Sequence, residues 1–453
     1  MIELDVRRGH GPGGPELRVE AVFPLREGPW EVALPCWRPG RYEFGNFAQY
    51  VLSMEGLGAD GEWVRLRKAS LHRWQVPDGV ARFRWRFHAG ILNAGSTYVG
   101  EEVLYLNPVN WVLFDPDRLG LGYRLVLSDV PEGWEVATAL PRDPDGVWVA
   151  RDLQHLADAP VLAAPALWHG EYEEAGSVFH VWAYGAVPRE QKRFIADHQR
   201  FTATMIAAFN GRFPEPAYYF LYLFPELDVR HGVEHADSTV IVLGPPDRVA
   251  TEEGYEELIS IACHELYHTW NVKRLRPAEW LPYDFERAVP SRLGYVAEGV
   301  TTYMGDLFLF EAGCIDRQAW DRRWAEMLRR HRMNPGRLNL SVADSGFDTW
   351  LDGYIPGVPG RKSSIYIEGA VLAMLCDVRI MQVTAGRASL QTAIALLHDR
   401  LVPAGRGLTE DIYWATLDEV AGRPGTTADL RRRFCDGCED TAEEVAAAMA
   451  WMG

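Results

Sequence analysis

Cysteine is scarce: there are six in 453 residues, and four of them (Cys36, Cys263, Cys314, Cys376) stand alone in apolar or helical stretches. That excludes a disulfide framework and fits small buried thiols. Only Cys435 and Cys438 form a CxxC, and without a second such pair or a nearby pair of histidines it reads as two incidental thiols. Long apolar runs are missing as well. The longest, such as Ala370 to Cys376, falls far short of a bilayer span, and the start MIELDVRRGHGPGG lacks the apolar core of a signal peptide. Positive charge is in deficit, with 46 Lys and Arg against 63 Asp and Glu and a net charge of -17. A nucleic-acid or anionic-membrane partner is therefore not expected, since either favours a basic face. What is present is a chain with 47% hydrophobic and 24% charged residues and length for two or three cores. A folded, cytoplasmic, multidomain protein without repeats is the expectation; its oligomeric state is not legible.

From residue 1 to about 165 short alternating runs predict strands: Leu17 to Phe23, Trp30 to Leu34, Trp63 to Arg67, Ala81 to His88, Gly122 to Leu127 and Trp134 to Ala137, separated by Gly, Pro and Asp turns. Two stretches, Trp37 to Tyr42 and Leu106 to Trp111, are too turn-rich for strand interiors. They read as ordered loops pinned to a core by aromatic and Pro-Gly clusters, and only secondarily as loops facing a catalytic part. The Ala- and Pro-rich stretch Leu156 to Leu167 marks a boundary. Beyond it, Ser177 to Tyr184, Ala217 to Phe224 and Ser238 to Leu243 read as buried strands, Pro188 to Phe209 as a helix, and Glu252 to Lys273 as a helix with an acidic start. After Ser291 nearly everything is helical, apart from a long loop over Asn334 to Lys362. The fold expected is α+β multidomain: an N-terminal antiparallel β-sandwich-like domain (1–165), then a thermolysin-like (zincin) catalytic domain (166–453), helix-rich from about 291.

The second helix of that catalytic half carries His264-Glu265-Leu266-Tyr267-His268, the H-E-x-x-H pattern. Residues four apart lie on one helical face, so His264 and His268 can offer imidazole nitrogens to one zinc ion. Glu265 is offset but adjacent, where a carboxylate can take a proton from water and pass it to a leaving amine. A hydrolytic site needs a third protein ligand. Glu298, in the apolar helical run AEGVTTY, is favoured because metal coordination removes the cost of burying an acid there; Glu286, in the more polar DFER, is the competitor. Asp306 is a weak nominee for orienting an imidazole.

HELYHTWNVKRLRP followed by AEGVTTYMGDL resembles the glycyl aminopeptidase (M61) family of zinc peptidases. LPCWRPGRYEFGNFAQYV is similar to that family's W-x-P-G-x-Y segment, LYLNPVNWVLF to its asparagine-proline loop, HGVEHADST to its G-G-L-E-H segment, and SSIYIEGAVLAMLCDV to its Y-x-K-G helix start. The resemblance implies one zinc per chain held by His264, His268 and Glu298, with Glu265 as general base and acid. It also implies that Tyr366 donates to the oxyanion, that Glu234 binds the free α-ammonium, and that Gly232 and His235 help form the substrate-binding segment. The implied activity is release of small N-terminal residues, Gly or Ala, from peptides with a free N-terminus. Rival readings are an endopeptidase with the same metal site and a non-catalytic peptide-binding scaffold. Three departures stand out: His231 replaces a glycine, Glu368 replaces a lysine, and the PDZ domain that usually follows is not expected here.

Overall fold

Alternating burial along the first part of the chain builds packed layers of strands. In Ile2–Gly11, for example, Ile2, Leu4 and Val6 are buried while Glu3 and Arg7 are exposed. The computed structural model describes residues 1–355 and 357–452. Seven strands form one sheet in the order Trp148–Ala150, Tyr123–Leu127, Ile2–Gly11, Gly14–Val22, Arg82–His88, Val51–Leu57 and Trp63–Arg65. A three-stranded sheet of Trp30–Ala33, Arg73–Val76 and Arg67–Lys68 shares its core: Val19, Phe83 and Trp85 meet Val32 and Trp74. The all-antiparallel expectation needs correcting, because Ile2–Gly11 pairs with Tyr123–Leu127 in parallel. A parallel pair joins segments far apart in sequence, so no local pattern announces it.

A four-stranded sheet of Glu135–Thr138, Val161–Ala164, Leu104–Leu106 and Tyr98–Val99 turns toward the second half of the chain. There a mixed five-stranded sheet runs in the order Trp168–Glu174, Ser177–Gly185, Ala217–Phe224, Ser238–Gly244 and Val229–Glu234. Sheet membership thus changes between Ala164 and Trp168, at the end of the expected boundary stretch. One face of this sheet packs on the helices Gln191–Ala208 and Glu252–Tyr267 through Phe201, Phe220, Tyr222, Leu258 and Leu266. The other face packs on the N-terminal half, where Leu221, Val240 and Val242 meet Leu162 and Ala164. Val229–Glu234 is the outermost strand, so its free edge borders whatever lies beside it.

Helices dominate beyond residue 291: Thr301–Glu311, Arg317–Met333, Ile367–Thr384, Leu390–Leu401, Glu410–Val420 and Ala442–Met452. The long loop expected over 334–362 contains short helical turns, Val342–Phe347 and Thr349–Asp352; its Pro356 lies outside the described residues. No helix among the described residues is long and apolar enough to cross a membrane.

Candidate active site

The helix Glu252–Tyr267 starts where Thr251 accepts a hydrogen bond from the Gly254 N–H (3.0 Å), with Glu252 and Glu253 beside the positive end of the helix dipole. It ends six residues earlier than the sequence pattern suggested. Past His268 the chain doubles back through Val272, whose φ of 89° is a strained value for a β-branched residue. The turn is held by the Leu275 N–H to the Trp270 carbonyl (2.8 Å) and by Lys273, buried against Asp158 (2.7 Å).

Next come six residues of π-helix, Tyr295–Val300, which carry Glu298 and lead into Thr301–Glu311. A π turn widens the ladder and is frequent at functional sites. Here it brings Glu298 to the two histidines. The Nε2 atoms of His264 and His268 are 3.1 Å apart, and the Glu298 Oε2 lies 3.6 Å and 3.5 Å from them. Donors bound at about 2.0–2.2 Å to one tetrahedral zinc lie roughly 3.3–3.5 Å from each other, so the three atoms are spaced for a shared ion. Other three-donor groups among the described residues are less suited. His169, Glu171 and His180 form an exposed cluster on the sheet, and Glu410 and Asp436 already engage Arg292.

The charges around these donors ask for a cation. Glu234, Glu265 and Glu298 are all buried. Burial, opposed by His268 and reinforced by Glu234 and Glu298, lifts the Glu265 carboxyl to about 8. Burial works against a charge on His268, but Glu234 and Glu298 outweigh it and raise that imidazole to about 9, while burial holds His264 down. Three carboxylates gathered around two imidazoles are a donor set that a divalent ion neutralises.

His268 is oriented by the chain itself: its Nδ1 donates to the Asn271 carbonyl (3.1 Å), which leaves Nε2 free as a ligand. The Asn271 side chain in turn donates to the Val296 carbonyl and to Thr301 Oγ1, both at 2.9 Å, tying the turn to the π-helix. Asp306 does not take this part; it pairs with Arg323 and accepts from Ser260. Glu286 is not a ligand either, because both its oxygens hold Arg73 (2.6 and 2.8 Å). On the other side of Glu298, the Tyr42 hydroxyl donates to Oε1 at 2.8 Å. Tyr42 belongs to the loop expected first as a structural one and only secondarily as one facing a catalytic part. The loop lines the site, with Arg38, Gly40 and Arg41 on the wall of a cleft of about 470 Å³ around the His264, His268 and Glu298 side chains. Both Tyr42 and Asn271 lie within segments that carried the family resemblance, so the signal was present but unassigned.

Glu234, at the end of Val229–Glu234, faces the same cleft with Oε1 buried and, among the described residues, without a hydrogen-bond partner. Gly40, with φ at +82°, packs directly on its carboxylate, and any Cβ there would collide with it. Gly232 does the same for Glu265, leaving no room for a side chain. Tyr366 also lines the cleft, its ring 6.3 Å from Tyr354. Burial, with Glu298 and Tyr354 nearby, holds its phenol well above 10. His235 departs from expectation: its Nδ1 meets Asp158 Oδ1 at 3.0 Å, and it is not among the residues lining the cleft. Glu368 likewise turns away from the cleft, buried against His331, whose Nε2 lies 2.8 Å from Thr441 Oγ1.

Residues 257–372 match the family model described as M61 glycyl aminopeptidase, and residues 12–165 match that of the Peptidase M61 N-terminal domain. Among solved structures, an aminopeptidase N family protein from Idiomarina loihiensis is 23% identical with a TM-score of 0.88, over 98% of this chain and 78% of that one. An M1 zinc metallopeptidase from Deinococcus radiodurans is 15% identical with a TM-score of 0.53, over 95% of this chain and 91% of that one. At these identities the likeness concerns the fold. No curated protein sequence matches.

Proposed function

Because this chain belongs to the M61 peptidase family, we propose that it is a zinc-dependent aminopeptidase hydrolysing the N-terminal bond of peptides, with one zinc per chain. One observation carries this reading. The converging donors of His264, His268 and Glu298 stand beside a buried carboxylate, Glu234, that has an oxygen without a hydrogen-bond partner among the described residues. A zinc ion on those donors supplies Lewis acidity for the scissile carbonyl and the attacking water.

The rest is done by the chain. Glu234 pairs with the substrate's free ammonium and so sets the distance from the N-terminus to the cut. Glu265, buried beside the donors, takes the proton of the attacking water and hands it to the leaving nitrogen. The Tyr366 phenol stays protonated across the working range and donates to the oxygen on which charge develops. Tyr42 and Asn271 position Glu298 and His268. Glycine or alanine at the first position is what the family resemblance supports, and a cytoplasmic setting fits the charge and composition.

The test uses the zinc-loaded protein on matched peptides with free and N-acetylated ends. Hydrolysis of the free peptides alone, sensitive to chelation, is expected. In Glu265→Gln, kcat should fall by about 10²–10⁴ while zinc content stays near one per chain. Equal cleavage of acetylated peptides would favour the endopeptidase reading, and absence of any chelator-sensitive hydrolysis a binding scaffold.

A further inference from the structure

Beside the outermost strand the cleft adjoins a second cavity of about 510 Å³, lined by Arg38, Asn93, Ser96, Asn110 and His231 among others. Arg38, Arg41, Arg230 and His231 border both spaces. Arg38 is the anomaly. It is only 5% exposed, yet among the described residues no carboxylate lies within 4 Å of it. Its guanidinium donates to its neighbour's carbonyl at Pro39 (3.2 Å) and meets His231 Nε2 at 3.3 Å. A buried guanidinium without a hydrogen-bonded anion is costly to keep charged. Burial works against its charge; Glu234 across the cleft favours the cation without reaching it, and Arg41 repels it.

The guanidinium is nevertheless held in place. Gly95 lies against it, so that a Cβ there would be 2.7 Å from Cζ; the Gly95 carbonyl accepts from Asn110 Nδ2 at 3.2 Å, and Asn110 Oδ1 accepts from Thr97 Oγ1 at 3.1 Å. Burial together with Arg38 and Arg41 pushes His231 down to about 3, so its ring is neutral and its Nε2 acts as the acceptor for Arg38. Arg38 and Arg41 occupy the two x positions of W-x-P-G-x-Y, and His231 stands where the family's glycine is expected. These are places where the family pattern leaves room for substrate choice to differ.

Strand parity connects the cavity to a substrate. Along Val229–Glu234, Gly232 faces the metal-site helix, whereas Val233 packs with Val240 and Val242 toward the N-terminal half. His231 shares the parity of Val233. A peptide laid along this free edge with its amine at Glu234 sends alternate side chains to alternate sides, one of them toward His231 and Arg38.

We infer that the second cavity is a carboxylate subsite, in which Arg38, steadied by His231, receives an acidic group carried within the first two residues of the substrate. The inference rests on the aminopeptidase reading and widens its substrate class from glycine and alanine to peptides with an acidic start. The carboxylate can be the side chain of the first residue, that of the second, or the free C-terminus of a dipeptide.

Four substrates separate these sources: Ala-Ala-NH2 as the uncharged reference, Asp-Ala-NH2, Ala-Asp-NH2 and free Ala-Ala, each assayed for kcat/KM with the zinc-loaded full chain. At least one acidic substrate should exceed the reference by about tenfold or more, the scale of one charge-assisted hydrogen bond. In Arg38→Met the ratio should fall to near one, while Arg38→Lys keeps part of it; Arg38→Gln serves if the methionine variant does not fold. Rates within about threefold of one another, or a preference that survives Arg38→Met, would overturn the subsite. If none of the four is cut, the aminopeptidase reading fails and a binding measurement decides the subsite. Succinate, against sodium chloride of equal ionic strength, should raise the melting temperature of the wild type more than that of Arg38→Met. Equal shifts would reject it.

Discussion

Two glycines decide how closely the acids of this site can gather. Gly232 leaves the Glu265 carboxylate its space, and Gly40, at a φ of +82° that other residues rarely adopt, lies flat against Glu234. Neither role is visible in the sequence, where each is one of 42 glycines. Tyr366 carries the clearest prediction at this scale. Replacing it by Phe removes one donor without changing shape, so kcat should fall by about 10²–10³ with KM little altered, as steady-state kinetics on a single peptide will show. A fall confined to KM would instead make Tyr366 a binding residue. Sequence reasoning favoured Glu298 over Glu286 on burial; in the structure Glu286 is neutralised by Arg73, whereas Glu298 faces two histidines and a tyrosine. His235, just past the end of the strand Val229–Glu234, meets Asp158 instead of the cleft, and only the three-dimensional surroundings show that.

Among the elements, the crossing of the π-helix with Ile367–Thr384 matters most. Gly299 and Gly369 meet backbone to backbone there, and a Cβ on Gly369 would lie 2.8 Å from the Gly299 Cα. The crossing sets Tyr366, one residue before its helix, beside Glu298 on the other. Gly369→Ala should therefore act on both at once. We expect a stability loss of about 1–3 kcal/mol from overpacking, together with lower zinc affinity and lower kcat. Urea unfolding, metal titration and kinetics would report these separately, and unaltered metal affinity would mean that the crossing does not position Glu298. The apolar periodicity marked both helices as helices. It could not mark six residues as π, since the pattern of buried side chains barely changes over one widened turn.

At the scale of the whole molecule the two halves are joined through the site. The N-terminal half supplies Tyr42 to Glu298, and its Asp158 meets Lys273, whose side chain is fully buried. Truncating that acid in Asp158→Ala leaves a buried ammonium without its partner, so unfolding stability should drop by about 3–5 kcal/mol; a change below about 1 kcal/mol would mean that water or another group replaces it. Stability should also depend on pH through His198, fully buried with its Nδ1 donating to the Phe194 carbonyl (2.7 Å) and its Nε2 2.6 Å from the Tyr222 hydroxyl. Burial holds this imidazole near 4, against 6.5 in an unfolded chain. Between those values the unfolded chain takes up a proton that the folded protein refuses. Stability is thus full above about 6.5 and declines as pH falls, by up to about 3 kcal/mol at pH 4. Denaturant unfolding from pH 7 to 4 should show a shallower decline in His198→Gln than in the wild type; parallel curves would place the acid sensitivity elsewhere.

The amino-acid sequence by itself determined the layers, most helices, and which two histidines share one face of the H-E-x-x-H helix, because periodicity and spacing are local and survive without knowledge of neighbours. It also brought Glu298 forward, since an acid in an apolar run demands a partner wherever it lands. Only the tertiary structure decided that the loop Trp37 to Tyr42, about 220 residues earlier in the chain than His264, closes over the same cleft. The reason is physical: contacts across domains depend on how packed sheets and helices turn their faces, and residue spacing along one strand or helix carries no record of that. Arg38 illustrates the difference. In the sequence it is one arginine among many in a turn-rich segment; in the folded protein it is a buried cation bordering the cleft, with no carboxylate of the described residues within salt-bridge distance.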